Sequence, residues 1–451
     1  MLSKSSVPIK DRDKKRTIPS ALKLILGLLV FVFIGTGILM LPGIAKHGTL
    51  AFNEAIFTAV SALSVTGLSI ITPAVDLTPF GKIVLMGLIQ CGGVGYMVLA
   101  IMVLRFLGRE ISLGDRMALQ DALGLISSRE IVKLTIRVFV TVIIIEFVGA
   151  VLLWLNWRNI MPADRAAFHA MFHAVSSFCN AGFDLFNGSR EFPTDSATLT
   201  VMGILIWLGG LGIPVLFDTI TYWKRRRFTL HTKLTFIVTT GLVIWGMFGL
   251  WISEAQPGGV LDGLPIGRQL GLALFQSISC RTAGFVGMPH FESLNPAAQL
   301  LIITLMFIGC APASMGGGVT TGTFVILLLA VFAYLKNHQT PIIWGRAIPG
   351  EMIRKASAVL TVSLFAVLTS SWLLMMTHDV DAQTAIFEVV SAFATCGLTL
   401  DFTSKLSGFG QVVIMFMMFW GRLGALTLLL ALTHRGAKRR VNYPEEKILI
   451  G

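Results

Sequence analysis

Long apolar stretches alternate with short polar ones along the whole chain. Four of the long stretches are nearly unbroken and about as long as a bilayer-crossing helix; they lie at 24–44, 138–155, 234–252 and 359–376. A shorter apolar stretch follows each of them, near 51–62, 164–178, 267–279 and 382–394. A second long stretch follows each short one, near 80–105, 197–223, 296–335 and 407–433. The pattern predicts α-helices in four repeats, each made of a long, a short and a long helix.

Each short stretch runs into a small-residue loop that contains a glycine. The first loop reads Ser64-Val65-Thr66-Gly67-Leu68. The three looser copies are Cys179-Asn180-Ala181-Gly182-Phe183, Arg281-Thr282-Ala283-Gly284-Phe285 and Thr395-Cys396-Gly397-Leu398, and their glycines follow at intervals of 115, 102 and 113 residues. A helix of about 12 residues cannot cross a bilayer. Each short helix is therefore predicted to enter the membrane and return, with its loop buried in protein or lining water.

Other residues repeat at fixed distances from these glycines. A phenylalanine stands ten residues before and a serine six residues before in three units: Phe57, Phe172 and Phe387, with Ser61, Ser176 and Ser391. The third unit departs from this spacing, with Phe275 at nine and Ser277 at seven. Another glycine follows 24 to 27 residues after each loop glycine: Gly92, Gly209, Gly309 and Gly421. Such recurrence indicates four units of one architecture.

Composition and charge agree with a membrane protein. The 451 residues are 54% hydrophobic and 13% charged, whereas soluble domains carry about 25% charged residues. The net charge of +12 is concentrated in short segments at the N-terminus, near 105–133, 224–233 and 336–355, and after residue 433. Short basic loops stay on the cytoplasmic side, so the charge predicts cytoplasmic termini and not a nucleic-acid partner. The five cysteines show no metal-binding spacing.

These features predict an all-α membrane protein of four tandem helix–pore-helix–loop–helix units. Its eight transmembrane helices are expected in a pseudo-fourfold arrangement around one ion pore. The predicted parts are a cytoplasmic lead at 1–20, pore units at 21–132, 133–230, 231–349 and 350–433, and a cytoplasmic tail at 434–451. The third unit contains a broken inner helix.

The loops have the chemistry of a cation site. Helix C-termini carry about half a negative charge, and loop carbonyls can replace the hydration shell of an ion. Glycine permits the positive φ angles that such loops need. Because no ring of carboxylates lines the loops, a dehydrated monovalent cation is expected rather than a divalent one. Asp184 and Asp401 follow two of the loops and are either attractors of cations at the mouth or ordinary solvated charges.

The repeated units, the Thr-Ala-Gly-Phe of the third loop and the glycine-rich break near 309–322 resemble the Ktr/Trk/HKT superfamily of potassium transporters, over about residues 20–435. With eight spans the chain is most similar to bacterial KtrB-type subunits. The resemblance implies a potassium selectivity filter at Val65, Thr66, Gly67, Asn180, Ala181, Gly182, Thr282, Ala283, Gly284, Thr395, Cys396 and Gly397. Relatives that favour sodium have serine at the first glycine, so Gly67 implies potassium.

The break in the third inner helix is the second feature. A proline and three consecutive glycines interrupt the hydrogen-bond ladder of an apolar helix. A phosphate-binding loop would need a lysine and a preceding strand, which this segment lacks. The resemblance implies an intramembrane gate loop of Gly309, Cys310, Ala311, Pro312, Ala313, Ser314, Met315, Gly316, Gly317, Gly318, Val319, Thr320 and Thr321. Relatives usually have a lysine where Thr320 or Thr321 stands, which predicts a less tightly held closed state.

Several charged or titratable residues are further candidates. Arg422 lies well inside an apolar span, where a charge marks a pathway; the resemblance implies a positive barrier beneath the filter. Arg281, beside the third loop, is expected to tie that loop to a carboxylate. His169 and His173 have the spacing of two metal ligands on a helix, but packing is favoured. Glu146 needs a polar partner in mid-span. Glu54 and Glu388 are expected near the outer ends of short helices.

The expected function is potassium uptake through a channel-like pore, without catalytic chemistry and with sodium dependence left open. The resemblance implies a homodimer in the cell inner (plasma) membrane, docked on a cytoplasmic RCK-type ring of nucleotide-binding regulatory subunits of the KtrA/TrkA kind. This chain itself is expected to bind no cofactor, only the transported K⁺ and, as an alternative, Na⁺. An alternating-access symporter coupled to H⁺ or Na⁺ is the second hypothesis. An intramembrane enzyme using His169 and His173 is the third.

Overall fold

The computed structural model describes residues 20–95, 131–186 and 192–424. The predicted tail at 434–451 and all but Ser20 of the predicted lead lie outside the described residues, as do 96–130, 187–191 and 425–433. The α-helices of the described part are α1 Ser20–Leu39, α2 Phe52–Ser64, α3 Pro73–Asp76, α4 Pro79–Val94, α5 Ile131–Trp157, α6 Ala163–Phe178, α7 Ser196–Gly210, α8 Ile213–Arg225, α9 Leu230–Glu254, α10 Ile266–Ser279, α11 Pro296–Phe307, α12 Thr321–Leu335, α13 Gly350–Thr377, α14 Ala382–Phe393 and α15 Gly408–Leu423. Two short strands, β1 Ile342–Ile343 and β2 Arg346–Ala347, pair as an antiparallel hairpin.

Three helices of the described part are long and apolar enough to cross a membrane, namely α5, α9 and α13. A fourth span results if α7 and α8 are taken together, although they are bent by 102°. The helices α1, α4, α11, α12 and α15 are apolar but shorter. The chain is thus a helical protein with membrane-spanning segments, whereas the full set of eight spans stays a prediction.

The helices pack in four groups that follow one another along the chain. In each group a short helix (α2, α6, α10 or α14) packs on the long helix before it (α1, α5, α9 or α13). The helix that comes next in each group contacts the short helix of the following group, in the pairs α4 with α6, α7 with α10, α11 with α14 and α15 with α2. The last of these pairs returns to the first group, so the sequence of contacts is closed.

The second inner helix differs from the sequence-based expectation of one helix near 197–223. It ends at Gly210 and resumes at Ile213, with Gly212 at a φ of 87° and Pro214 in the first turn of α8. The glycine accepts a left-handed conformation and the proline begins the new helix at no hydrogen-bond cost. The break predicted in the third inner helix is present between α11 and α12.

Three inner helices share a pair of glycines three residues apart, Gly92 and Gly95, Gly209 and Gly212, and Gly421 and Gly424. At the first glycine of each pair, a Cβ would come within 3.0 Å of a carbonyl oxygen at the end of a short helix: that of Leu63, Phe178 or Phe393. The second glycine has a positive φ and follows or interrupts the helix. The repeated glycines of the sequence therefore allow close packing of the inner helices against the short helices.

This packing predicts that Gly92→Ala destabilises the protein. The added methyl would meet the backbone carbonyls of Ala62 and Leu63, and overpacking of this kind costs about 1–3 kcal/mol. The control is Gly87→Ala on the same helix, where a Cβ meets nothing within 4 Å. The apparent melting temperature in detergent should fall for Gly92→Ala and stay level or rise for Gly87→Ala. Equal melting temperatures would contradict the close approach.

Candidate functional site

Four glycine loops follow the C-termini of the short helices: Val65–Gly67, Asn180–Gly182, Thr282–Gly284 and Thr395–Gly397. The first residue of each loop has a positive φ without being glycine: Val65 60°, Asn180 58°, Thr282 94° and Thr395 51°. The glycine two residues later has a positive φ as well. Non-glycine residues in this conformation store strain, which proteins retain mainly at functional sites. All four loops have a positive φ at their first and third residues. This shared backbone conformation identifies them as the candidate site.

The glycine loops touch one another in a closed ring. A Cβ on the glycine of each loop would lie within 3.0 Å of a carbonyl oxygen in the next loop: Gly67 faces Ala181, Gly182 faces Ala283, Gly284 faces Cys396 and Gly397 faces Thr66. Backbone atoms cannot move aside as a flexible side chain can, so any side chain at these positions would push two loops apart. Glycine is needed here for the contact between loops as well as for its dihedral angles.

A buried serine braces each loop. The hydroxyls of Ser61 and Ser391 accept the N–H of their loop glycine at 3.0 and 3.1 Å. The hydroxyls of Ser176 and Ser279 instead donate to the carbonyl of the residue after the glycine, at 2.8 and 2.7 Å. The bracing serine of the third loop is therefore Ser279 and not Ser277, which donates to the carbonyl of Val243 at 2.8 Å.

The third unit keeps the common pattern when it is aligned on its phenylalanine. All four short helices contain Phe, a polar residue, two further residues and Ser, in the sequences FTAVS, FHAVS, FQSIS and FEVVS. The third loop is one residue shorter between this serine and the glycine, which explains the spacing that departs in the sequence. All four phenylalanines are 0–2% exposed, so they anchor the short helices in the core.

The predicted loop residues contribute backbone oxygens to the site, and none of them has a charged side chain.

Arg281, beside the third loop, is 3% exposed. Its guanidinium donates to the carbonyl oxygens of Gly309 at 2.8 Å and Thr239 at 3.5 Å. The expectation of a carboxylate partner for Arg281 is therefore wrong in the described structure. Its charge is instead held by carbonyls of the third inner helix and of α9, behind the loop.

The segment 309–320 between α11 and α12 packs against the glycine loops. A Cβ on Gly316 would meet the side chain of Thr282, and one on Gly317 would meet that of Thr395. The Cys310 thiol lies 3.1 Å from the Thr282 hydroxyl and donates to the Arg281 carbonyl at 2.9 Å. Residues predicted as filter and residues predicted as gate are thus in direct contact.

The same segment also rests on the break in the second inner helix. The N–H of Ala311 donates to Gly210 at 3.1 Å, and that of Ile213 donates to Ala313 at 3.0 Å. The two ends of the segment lie side by side, because Ile308 and Val319 form a β-bridge. Thr320 begins α12 as its N-cap and accepts the N–H of Thr323. A lysine there could not cap the helix in this way.

Arg422, on the fourth inner helix, bonds to the first and third inner helices at this level. Its guanidinium donates to the carbonyl of Met315 in the interrupted segment and to the carbonyls of Gly92 and Gly93 at the end of α4. Since the segment 309–320 and α4 belong to different units, Arg422 links three inner helices through one side chain. A positive charge surrounded by backbone oxygen thus lies where these three inner helices meet.

The histidine pair has the contacts of packed residues. Nδ1 of His173 must donate to the carbonyl of His169, 2.7 Å away, which leaves its Nε2 to accept the N–H of Leu185 at 3.4 Å. The two rings are stacked with centroids 5.9 Å apart. Within the described ranges no group of three or more His, Cys, Asp or Glu could hold a metal ion.

Four of the acidic candidates lie at a helix start, inside the core or just after a glycine loop. Glu54 caps α2 by accepting the N–H of Ala51 at 2.9 Å. Glu388 is fully buried, and both carboxyl oxygens bond to hydroxyls, of Thr399 at 2.8 Å and of Thr403. Asp184 accepts the N–H of Phe186, and Asp401 lies 3.5 Å from Lys405. The interpretation of Glu388 as a group at the outer end of its helix is thus replaced by one of a buried support.

Glu146 has partners that sequence reasoning could not name. It accepts the side-chain amide of Gln90 on α4 at 3.0 Å, and its other oxygen lies 3.6 Å from the thiol of Cys179. Cys179 directly precedes the second glycine loop. A buried carboxyl on an outer helix therefore reaches the back of the candidate site.

The chain matches a known protein family over almost its full length. The family model described as TrkH, cation transport protein, matches residues 7–438. The chain belongs to the TrkH family of cation transport proteins. It is 34% identical over 429 residues to the Ktr system potassium uptake protein B of Bacillus subtilis, covering 95% of this chain and 96% of the relative. It is 32% identical to the potassium/sodium uptake protein NtpJ of Enterococcus hirae, covering 98% and 99% of the two chains.

A solved structure shows the TrkH fold as well. The potassium transporter TrkH of Vibrio parahaemolyticus matches with a TM-score of 0.74, at 20% identity, over 94% of this chain and 86% of that one. The resemblance seen in the sequence is thereby confirmed at the level of family and fold. These relatives are transport proteins, which agrees with a role other than catalysis for this TrkH-family chain.

Adjacent serines of the third short helix give a test of the bracing bond. Ser279→Ala frees the carbonyl of Phe285 beside the loop glycine, at a cost of about 1 kcal/mol, and should change cation flux into vesicles and the preference between cations. Ser277→Ala removes a bond to α9 and should lower only thermal stability. If Ser277→Ala altered the cation preference and Ser279→Ala did not, the assignment of the brace would be wrong.

Proposed function

We propose that this chain conducts potassium ions into the cell through a pore whose selectivity filter is the ring of four glycine loops. The ring itself carries the proposal, because each glycine abuts the backbone of the next loop and the fourth closes on the first. A closed ring of loops at the ends of four helices surrounds one axis. The names of the relatives, which specify potassium uptake or potassium and sodium uptake, support the choice of ion.

The chemistry of the ring suits a monovalent cation. The twelve predicted filter residues have no charged side chain, so stabilisation comes from carbonyl oxygens and helix C-termini. A divalent cation would lose more hydration free energy on entry than such a ring could replace. Gly67 at the first position favours potassium over sodium, while the Enterococcus relative leaves sodium as a second ion.

The architecture proposed is supported by the closed contacts of the helices. The four groups, each linked to the next and the last to the first, support a pseudo-fourfold arrangement of eight spans around the ring. The basic segments 224–233 and 336–355 would then face the cytoplasm with both termini. The location proposed is the plasma membrane of the cell.

The gate proposed is the segment 309–320 with Arg422. It packs directly on two loops of the ring, and Arg422 ties it to α4. Opening requires the segment to leave these contacts. Relatives usually have a lysine where Thr320 or Thr321 stands, and Thr320 here caps α12, so the closed state is held by hydrogen bonds and by Arg422.

The partners proposed are a second copy of the chain and a cytoplasmic ring of nucleotide-binding subunits. The exposed hairpin β1–β2 adjoins the basic segment 224–233, because the ring of Trp344 lies 5.9 Å from the Lys233 ammonium group. Nucleotide would bind the partner ring, and movement of the ring would act on the gate. Transport by this chain alone is passive in this scheme.

A coupled symporter remains a second candidate because of one observation. Glu146 reaches Cys179 at the base of the second loop, so a titratable group lies closer to the ring than its place on an outer helix suggests. Proton movement in fixed proportion to potassium, abolished by Glu146→Gln, would favour symport. Uptake that follows the potassium gradient alone in both proteins would exclude it.

Substitution of Gly67 tests the filter. Gly67→Ser places a side chain against the carbonyl of Ala181, and the preference for K⁺ over Na⁺ should fall at least tenfold, or about 1.4 kcal/mol. The control is Gly48→Ser, which has a similar φ of 105° but nothing within 4 Å. Uptake is measured in cells deficient in potassium uptake and in vesicles. An unchanged preference in a folded Gly67→Ser protein would remove the first loop from the filter.

Deletion of residues 311–318 tests the gate. The ends of the segment already lie together at the bridge between Ile308 and Val319, so the chain can close. Flux should rise and become independent of the cytoplasmic partner. Ser314→Ala serves as the control, because this hydroxyl has no hydrogen-bond partner in the described residues. Flux in the deletion variant that still depends on the partner would refute the gate.

A further inference from the structure

One polar residue in each short helix stands directly after the buried phenylalanine of the repeated pattern. These four support residues are Thr58, His173, Gln276 and Glu388. All four are 0% exposed, although a buried polar group costs free energy unless it is hydrogen-bonded. Polar residues at one buried position of all four helices need a common explanation.

Three support residues bond to the chain that leaves the glycine loop. Nε2 of His173 accepts the N–H of Leu185 at 3.4 Å, three residues after Gly182. Oε1 of Gln276 accepts the N–H of Gly287 at 3.0 Å, three residues after Gly284. In each case the bond joins the short helix to the exit segment, meaning the residues directly after the loop glycine.

The fourth unit has the strongest connection. Both carboxyl oxygens of Glu388 bond to hydroxyls in its exit segment, those of Thr399 and Thr403. Thr399 in turn accepts the N–H groups of Phe402 and Thr403, at 3.2 and 3.4 Å. One carboxyl group thus organises a whole turn after Gly397.

The first unit lacks this connection. The hydroxyl of Thr58 has no hydrogen-bond partner in the described part of the chain. Ser69, the counterpart of Thr399 two residues after its glycine, bonds instead to Ile71 within its own exit segment, at 2.7 Å. The number of hydrogen bonds between the support residue and its exit segment therefore differs among the units. It is none in unit one, one each in units two and three, and two in unit four.

We propose that the support residues are positioning residues for the outer end of the filter, with Glu388 the dominant one and Thr58 inactive. His173, Gln276 and Glu388 act without touching the ion: each fixes its exit segment and, through it, the glycine at which the loops meet. The proposal deepens the proposed function and rests on it for the identity of the ion. It predicts that selectivity depends on the four units unequally.

The test compares one position in three helices. Potassium and sodium fluxes are measured in vesicles for Thr58→Val, Gln276→Leu and Glu388→Leu. The ratio of K⁺ to Na⁺ flux should be unchanged for Thr58→Val, about fivefold lower for Gln276→Leu, which loses one bond of about 1 kcal/mol, and more than tenfold lower for Glu388→Leu. Glu54→Gln, on a short helix but away from the ring, should keep the wild-type ratio.

Two further variants guard against misfolding. Thr403→Val removes a hydroxyl partner of Glu388 without changing the short helix, and should lower the flux ratio in the same direction. Glu388→Gln keeps an acceptor and should recover part of the ratio. A conducting Glu388→Leu protein with the wild-type ratio, or an equal loss in Thr58→Val, would overturn the proposal.

Amide hydrogen exchange separates this proposal from the proposed function. The amides of Leu398 to Thr403 should exchange faster in Glu388→Leu, while residues 68–72 should not change in Thr58→Val, whichever ion is carried. If wild-type vesicles do not distinguish K⁺ from Na⁺, the proposed selectivity filter is refuted. The exchange rates of the variants still show whether the support residues fix the exit segments. Unaltered exchange in Glu388→Leu would refute them.

Discussion

The contact between each loop glycine and the carbonyl of the next loop constrains everything around it. Four glycines meet four backbone oxygens in a closed ring, and no side chain fits at these positions. The ring requires the short helices to end at one level with their C-termini together. Such an arrangement concentrates oxygen and partial negative charge in one place. Four buried serines bond to the loops or to the residues that follow them, and His173, Gln276 and Glu388 bond to the exit segments.

The inner helices complete the same arrangement from the other side. Gly92, Gly209 and Gly421 let them pack against the last carbonyls of the short helices. The third inner helix cannot do this in the same way, because Gly309 faces the carbonyl of Gly317 within its own interrupted segment. The third unit is also the one whose loop is shorter and whose Arg281 bonds to Gly309. The third unit, which contains the proposed gate, thus differs from the others in its inner helix, its loop and the arginine beside that loop.

The sequence predicted the family, the helical repeats, the four loops and the break near 309–322, because each depends on local signals: apolar length, glycine, proline and recurrence. It took Ser277 as the equivalent serine of the third unit, whereas the structure shows that Ser279 holds this place. The third unit has one residue fewer between this serine and the loop glycine, which becomes visible when the units are aligned on Phe275. The bend at Gly212 has a signal in the sequence, namely the glycine pairs three residues apart. The partners of Arg281, Glu146 and Glu388 had none, because they lie on other helices or across a turn.

The sequence by itself determined which segments are apolar enough to enter a membrane and where the backbone must leave the helical conformation. Those properties follow from the hydrophobic effect and from backbone sterics, and both act over a few neighbouring residues. Only the tertiary structure decided which carbonyl each glycine faces and that Arg422 joins segments more than 300 residues apart. It also decided that Glu388 bonds to the segment after its loop, whereas the Thr58 hydroxyl has no partner among the described residues. Hydrogen bonds and close packing act at about 3 Å, so they depend on neighbours in space that the order of residues does not reveal.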